Sequence, residues 1–172
     1  MTSFMYQLPC PKLTLILKSP LLKEPLLDVP EELNNFDLAV DYSISLEQMV
    51  ALGRFDWTNE KIIENFEKSG TGNVTLSAKI FRINCRLSTE GVVVEMGKEG
   101  LRPATLMEII AFGVNYPEVQ RCFSIMALGS YCKISGYCYV PYLCELYGER
   151  NLNLSCSDGG WNEGCHFLAI RT

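Results

Sequence analysis

The sequence predicts an α+β domain preceded by a proline-rich arm. Three patterns predict it. Helical segments carry N-cap residues at Ser45 and Thr105, one segment near Val74 alternates apolar and polar residues, and the tail after Ser130 breaks into short strands and turns. A chain of 172 residues fits one domain of ordinary size. A chain that long buries roughly 70% of its unfolded surface and needs no covalent staple.

Residues 1–36 hold Pro9, Pro11, Pro20, Pro25 and Pro30 among leucines, and prolines this frequent prevent a long helix. They read as an arm that lays its leucines on the domain or on a partner; the alternative is an ordinary first segment of the same domain. Residues 37–172 then form the domain. Ser45 caps a helix over Leu46–Leu52 that stops at Gly53, and Asn59 caps another over Glu60–Lys68. Ser69 to Gly72 is a turn. Asn73–Asn84 is the clearest strand, with Val74, Leu76, Ala78 and Ile80 on one side. Ser88 or Thr89 opens a helix ending near Gly100. Thr105 and Glu108 form a capping box for the best helix of the chain, closed by Pro117. Ser124–Gly129 reads as a buried strand, Val140–Leu143 and Asn151–Leu154 as short strands, Ser157–Gly160 as a turn and Phe167–Ile170 as a closing strand. Neither an internal repeat nor a low-complexity linker is present.

Charge and composition exclude several functions. The net charge is −5, and phosphate backbones or anionic lipid surfaces need a basic face. The expectation is therefore no nucleic acid and no polybasic membrane contact. There is no apolar run of the ~18 residues a membrane span needs. The start of the chain lacks a basic segment before an apolar one, so the default location is inside the cell, while non-classical export or surface display would leave no trace. A single histidine, His166, excludes multi-histidine metal sites and argues against a hydrolytic triad. No cofactor and no metal are expected.

The cysteines are unusual. Of eight, Cys132, Cys138, Cys144, Cys156 and Cys165 crowd the tail, without the CxxC pairs of a zinc ribbon. Tyr131, Tyr137, Tyr139, Tyr142 and Tyr147 share that segment. Tyrosine and cysteine thus fill ten of the 36 positions from 131 to 166, against six of the preceding 130. Serine, glycine and asparagine fill much of the rest. Tyrosine offers a large amphipathic contact at low entropy cost, and the small polar residues adapt their hydrogen bonds, so this is the composition of a binding surface. The plainer reading is a β-rich region with buried tyrosines. Leu152 and Leu154 alternate with Asn151 and Asn153, which predicts leucines facing in and asparagines facing out, and Trp161 is expected to plug the core.

Three motifs carry a resemblance. Leu101-Arg102-Pro103-Ala104-Thr105-Leu106-Met107-Glu108 is similar to the helix start of formylglycine-generating-type domains, a branch of the C-type lectin fold. Gly160-Trp161-Asn162-Glu163-Gly164-Cys165 resembles the Trp-Asn-Asp stretch of C-type lectins, with its cysteine one residue early. Phe167-Leu168-Ala169-Ile170-Arg171 resembles their last strand. From about Leu46 to the C-terminus the chain resembles the variable proteins of archaeal diversity-generating retroelements. The matching positions are Arg102 to Thr105, Glu108, Ala111, Gly113, Pro117, Gln120-Arg121, Ile125, Ala127 to Ser130, Val140-Pro141, Leu143, Arg150, Leu152, Leu154, Trp161 and Phe167 to Arg171. The resemblance implies a C-type lectin-like fold with two main helices packed on small antiparallel sheets. It also implies diversification by adenine-directed mutagenesis, chiefly of Asn codons. Such changes yield Tyr, Cys, Ser, Asp, Gly, His, Leu, Ile, Phe and Arg, and never Lys, Glu, Gln, Met or Trp. Lys133, Glu145, Glu149, Trp161 and Glu163 would therefore be constant. The chain departs from calcium lectins in lacking their acidic-Pro-Asn motif, leaving Asp158, Asn162 and Glu163 as the available oxygen donors. It departs from the formylglycine-generating enzymes in the context of Cys138 and Cys144.

The expected function is ligand binding without catalysis. The expected variable face comprises Tyr131, Cys132, Ile134, Tyr137, Cys138, Cys144, Leu146, Tyr147, Asn151, Asn153, Ser155, Cys156, Ser157, Asp158, Asn162, Cys165 and His166, and its partner is a protein or a cell-surface ligand. One rival is a redox or metal enzyme using the cysteine cluster, which needs a bound metal or a thiol of lowered pKa. The other is a structural attachment module assembled through the arm.

Overall fold

A computed structural model describes residues 34–172. The proline-rich arm lies outside these residues except for its last three, of which Asn34 already belongs to the domain. Its buried side chain donates to the carbonyl of Ile80 at 2.7 Å and accepts from the amide of the same residue at 2.7 Å.

The strands are β1 (Phe36–Asp41), β2 (Trp57–Thr58), β3 (Asn73–Arg82), β4 (Leu101–Pro103), β5 (Ile125–Met126), β6 (Cys132–Ile134), β7 (Tyr137–Leu146), β8 (Glu149–Cys156) and β9 (His166–Arg171). The helices are α1 (Leu46–Gly53), α2 (Lys61–Asn65), α3 (Thr89–Lys98) and α4 (Leu106–Asn115). All nine strands join one mixed sheet in the order β1-β3-β9-β5-β7-β8-β2, with β4 added beside β9 and β6 beside β7. The β5–β9 and β2–β8 pairs are parallel and the others antiparallel.

This sheet overturns the C-type lectin-like expectation. That fold places two main helices on small antiparallel sheets, whereas here four helices flank one nine-stranded mixed sheet. The local motifs form as expected; what differs is which strands they pair with. Phe167 to Arg171 does form a strand, but one in the middle of the sheet, between β3 and β5.

Side-chain alternation gives the sheet two apolar faces. On one, Leu38, Val40, Ile80, Leu168, Ile125, Leu143 and Leu152 pack under α1, α2 and α4. On the other, Phe81, Phe167, Ala169, Met126 and Val140 pack under α3 through Val92 and Met96, with Trp161 plugging the end as expected. Helix α4 is buried from Leu106 to Gly113, so it is apolar nearly all round. Its one buried charge, Glu108, accepts from Arg102 at 2.7 and 3.0 Å, from the Thr105 amide at 2.7 Å and from the Tyr42 hydroxyl at 2.7 Å. Burial works to raise this carboxyl's pKa, but those four donors outweigh it and hold it below the usual carboxylate range.

The helix starts follow the sequence closely. Ser45 caps α1, with Gln48 completing the box, and Ser88 caps α3. Helix α2 is shorter than expected. Only Ile62 of it is buried, Phe66 is already extended, and Asn59 Oδ1 accepts from the Lys61 amide just ahead of it. Strand β5 is likewise shorter than Ser124–Gly129, because Ala127 donates to the Pro141 carbonyl but Pro141 has no N–H to return, and the Gly129 amide turns to the Ala104 carbonyl. Gly129 has to be glycine there, since a Cβ would lie 2.6 Å from the Ala104 oxygen. Pro141 sits inside a central strand without penalty. Its Leu154 partner stands in β8, while its carbonyl accepts from Ala127, so the side lacking an N–H meets only the end of β5.

Arg150, at the start of β8, ties the helices to the hairpin. It is 8% exposed and lies 5.1 Å from the centre of the Phe55 ring. Its guanidinium donates to the Gly53 carbonyl at the end of α1 at 3.0 Å, to the Gly113 carbonyl in the last turn of α4 at 2.7 Å and to Gln120 Oε1 at 3.1 Å. Gln120 Nε2 in turn donates to the carbonyls of Cys144 at 2.8 Å and Asn151 at 3.3 Å. Removing the guanidinium strands several buried acceptors at once. Arg150→Ala is expected to lower the unfolding free energy by about 3 kcal/mol in urea titrations; a loss of less than ~1 kcal/mol would show that water replaces the guanidinium.

Candidate ligand-binding surface

The β7–β8 hairpin and the turns around it carry the residues singled out by composition. Register decides which of them share a face. Tyr142 pairs with Asn153, Val140 with Ser155, Cys144 with Asn151, Leu146 with Glu149 and Cys138 with Lys133. Directly paired residues point to the same side. Val140 and Tyr142 pack with the α3 cluster, so this whole set belongs to the α3 face. The alternate set, Leu143, Leu152, Leu154 and Arg150, points to the α1 and α4 side. On β8, Asn151, Asn153 and Ser155 thus lie on one face and the framework residues on the other.

Burial sorts the expected residues further. Tyr131, Tyr137, Leu146, Tyr147, Cys156, Asp158 and Asn162 are exposed. Ile134, Cys138, Asn153, Ser155, Ser157, Cys165 and His166 are half-buried. Cys132, Cys144 and Asn151 are buried and offer no accessible side chain, which corrects the expectation that they belong to an exposed face. Asn151 lies inside the sheet, paired to Cys144 on one side and to Trp57 of β2 on the other, and its amide donates to the Glu149 carbonyl at 2.9 Å. Alternation put Asn151 on the right face, but a strand that sequence did not reveal covers it. Leu154, expected inside with Leu152, is only half-buried.

The exposed residues divide between the two ends of the hairpin. Leu146 and Tyr147 sit at the β7–β8 turn, and Tyr131, Tyr137, Cys156 and Asp158 at the other end, about 30 Å away along β7. Cys138, Ser155 and Asn153 lie between these ends on the α3 face, whereas Tyr137 and Cys156 alternate onto the opposite one. An amide network holds the middle of this strip. Asn59 Nδ2 donates to Asn153 Oδ1 at 2.9 Å, and Asn153 Nδ2 donates to the Tyr142 hydroxyl at 3.4 Å. Burial pushes the Tyr142 phenol up to about 12. Asp158 has a structural task as well, because its carboxylate accepts from the Cys138 amide at 3.0 Å and folds the turn after β8 back onto β7. Trp161 fixes the following loop through Nε1–H to Thr89 Oγ1 at 3.0 Å and paired backbone bonds to Leu87.

Both hairpin turns use left-handed residues. Ser135 and Gly136 have φ of 52° and 87°, and Tyr147 and Gly148 have φ of 56° and 85°. Two-residue loops of this kind favour Asn-Gly or Asp-Gly, and tyrosine is strained there.

Every cysteine among the described residues is a free thiol. Burial raises the pKa of Cys132, Cys144 and Cys165, opposite to the shift that makes a thiolate nucleophile. Among the described residues no three His, Cys, Asp or Glu side chains are placed to hold a metal. A groove of about 930 Å³ opens between α3 and the end of β3, lined by Arg82, Cys85, Glu95, Glu99 and Glu163; it meets the tail only at Glu163 and Gly164. His166 stacks on Phe123 with ring centres 4.1 Å apart, and burial, with Arg82 nearby, lowers its pKa to about 4. No helix among the described residues is long and apolar enough to cross a membrane.

Trp57 and Asn59 of this surface escape a composition-based reading because they lie far from the tail in sequence. They reach it through β2, a strand of two residues defined only by its partner.

Comparison with protein-family models, with characterised proteins and with solved structures returns no match.

Two outcomes follow from these environments. His166 stays neutral in the fold down to about pH 4, whereas an unfolded histidine gains its proton near pH 6.5. Its contribution to stability is therefore present above about pH 6.5 and lost as pH falls toward 4. Urea midpoints measured across that window should fall less for His166→Phe than for the wild type. Tyr147→Asn should raise the unfolding free energy by about 1 kcal/mol by relieving the left-handed tyrosine; a destabilised variant would mean that the tyrosine ring makes compensating contacts.

Proposed function

We propose that the chain is a ligand-binding protein, diversified in the manner of the retroelement variable proteins it resembles, with its variable side chains carried on the β7–β8 hairpin and the flanking turns. The observation that carries this reading is the segregation on β8. Asn151, Asn153 and Ser155 share the α3 face, while Arg150, Leu152 and Leu154 take the opposite one. Such a strand can change every second residue and leave the main core intact.

The β7–β8 turn adds support. Its first position suits asparagine best, and tyrosine is one adenine change from an Asn codon. A turn-favoured Asn-Gly converted to Tyr147-Gly148 is what adenine-directed mutagenesis would leave. The free cysteines fit the same process, since their irregular spacing builds neither a disulfide nor a metal site among the described residues. The raised pKa values of the buried thiols weigh against the cysteine-enzyme rival. The ligand on this reading is a protein or a cell-surface molecule, recognised by shape and by exposed tyrosine anchors.

Sequencing many copies of the 3′ end of the gene from its source population tests the proposal. Substitutions should fall on adenine-derived codons, densest at Tyr131, Tyr137, Tyr147, Asn153, Cys156 and Asp158, with Arg150, Leu152 and Trp161 fixed. A tail that does not vary, all its cysteines kept, would overturn it.

A further inference from the structure

Two residues that adenine changes cannot create stand beside the proposed variable strip, Trp57 on β2 and Glu149 on β8. Trp57, on the edge strand of the sheet, is 46% exposed. It pairs with Asn151 and so faces the α3 side, an orientation that the Asn59 to Asn153 bond two residues later supports independently. Glu149 lies on that same face, two residues before Asn151 on the adjoining strand. Its carboxylate is exposed and engages no cation among the described residues. Two arginines near Glu149 are engaged elsewhere. Arg121 reaches Glu118 at 3.6 Å, Glu145 at 3.5 Å and the Gly148 carbonyl at 2.8 Å, and the Arg150 guanidinium is buried on the opposite face.

The geometry points to Trp57 and Glu149 as a constant cation-binding corner of the surface, one that takes an arginine side chain from a protein partner. An exposed indole face attracts a cation, and an adjacent unpaired carboxylate supplies the opposite charge. Arginine fits better than lysine because its planar guanidinium stacks on the ring while its edge donates to the carboxylate. Asp56 and Glu60 near Trp57 are acidic and exposed, beside the basic Arg54 and Lys61, and the Asp56 carboxylate accepts from the Arg150 amide at 2.7 Å. This inference deepens the binding role proposed above and rests on it. The variable strip would discriminate among partners, and the constant corner would give each of them one shared anchor.

The test uses the full-length chain and N-acetyl-triarginine amide as the probe. The chain has two tryptophans, and Trp161 is only 5% exposed, so a change in emission on titration reports Trp57. Saturable quenching is expected with triarginine, weaker with trilysine and absent with triglutamate. By calorimetry, Glu149→Gln and Trp57→Ala should each weaken the peptide by about threefold or more. Both positions are exposed, and unchanged thermal midpoints would confirm that the variants fold. Absence of saturation, an equal response to triglutamate, or an unaltered affinity in Glu149→Gln overturns the inference. A varying tail with no triarginine binding would sink this corner alone, whereas an invariant tail with triarginine binding would sink the diversification reading and keep the corner.

Discussion

The structure depends on a buried positive charge that is held mainly by neutral oxygens. The Arg150 guanidinium ends two helices, through the Gly53 and Gly113 carbonyls, and reaches the hairpin through Gln120. Burying a charge is costly unless its donors are met, and here the helix C-termini add partial negative charge to their carbonyls. Burial lowers the guanidinium's pKa, and Arg121 lowers it further, while Asp56 and Glu118 oppose them. An arginine resists such a shift and stays protonated; a lysine could neutralise instead and would lack the fork that reaches two helices at once.

This placement separates stability from the surface. Arg150, Leu152 and Leu143 fix β7 and β8 from below, and Gln120 fixes their backbone by gripping the carbonyls of Cys144 and Asn151 rather than their side chains. Backbone contacts are indifferent to the side chain that follows them. The second buried charge, Glu108, does the equivalent task where β4 meets the start of α4. A domain built this way tolerates change on one face of a hairpin because its polar keystones sit on the other. The tolerance has limits: Asn151 and Cys144 share the outward face and are nevertheless enclosed, so a bulky residue at either would have to displace its neighbours.

Much of the local structure is legible in the sequence, since helix caps and strand alternation are local. Ser45, Ser88 and the Thr105–Glu108 box open helices where the sequence places them, and Asn73 opens the long strand. The order of strands is a matter of distant pairing, and no local pattern encodes it. Strand β9 sits between β3 and β5, about half the chain length from the one and some forty residues from the other, so similar motif segments supported a lectin-like expectation that the pairing overturns. Strand β1 escaped because it adjoins the proline-rich arm, and β2 because two residues carry no periodicity. Ser130 shows the same limit at a single atom. Its hydroxyl accepts from the Leu106 amide at 2.9 Å and so satisfies the start of α4 from 24 residues away.

The reading of Asn151 shows how the candidate surface was legible in part. Alternation with Leu152 correctly assigned it to the face away from the main core. The step from polar to exposed failed, because polarity says only that an amide needs partners and not that water supplies them. Here the Glu149 carbonyl supplies one, and β2 pairs alongside. The covering strand brings Trp57 with it, so the residue that hides one expected contact adds an aromatic ring to the same surface. A surface defined by composition alone is thus both too large and too small. It counts polar residues that the sheet encloses, and it omits apolar ones that a distant strand delivers.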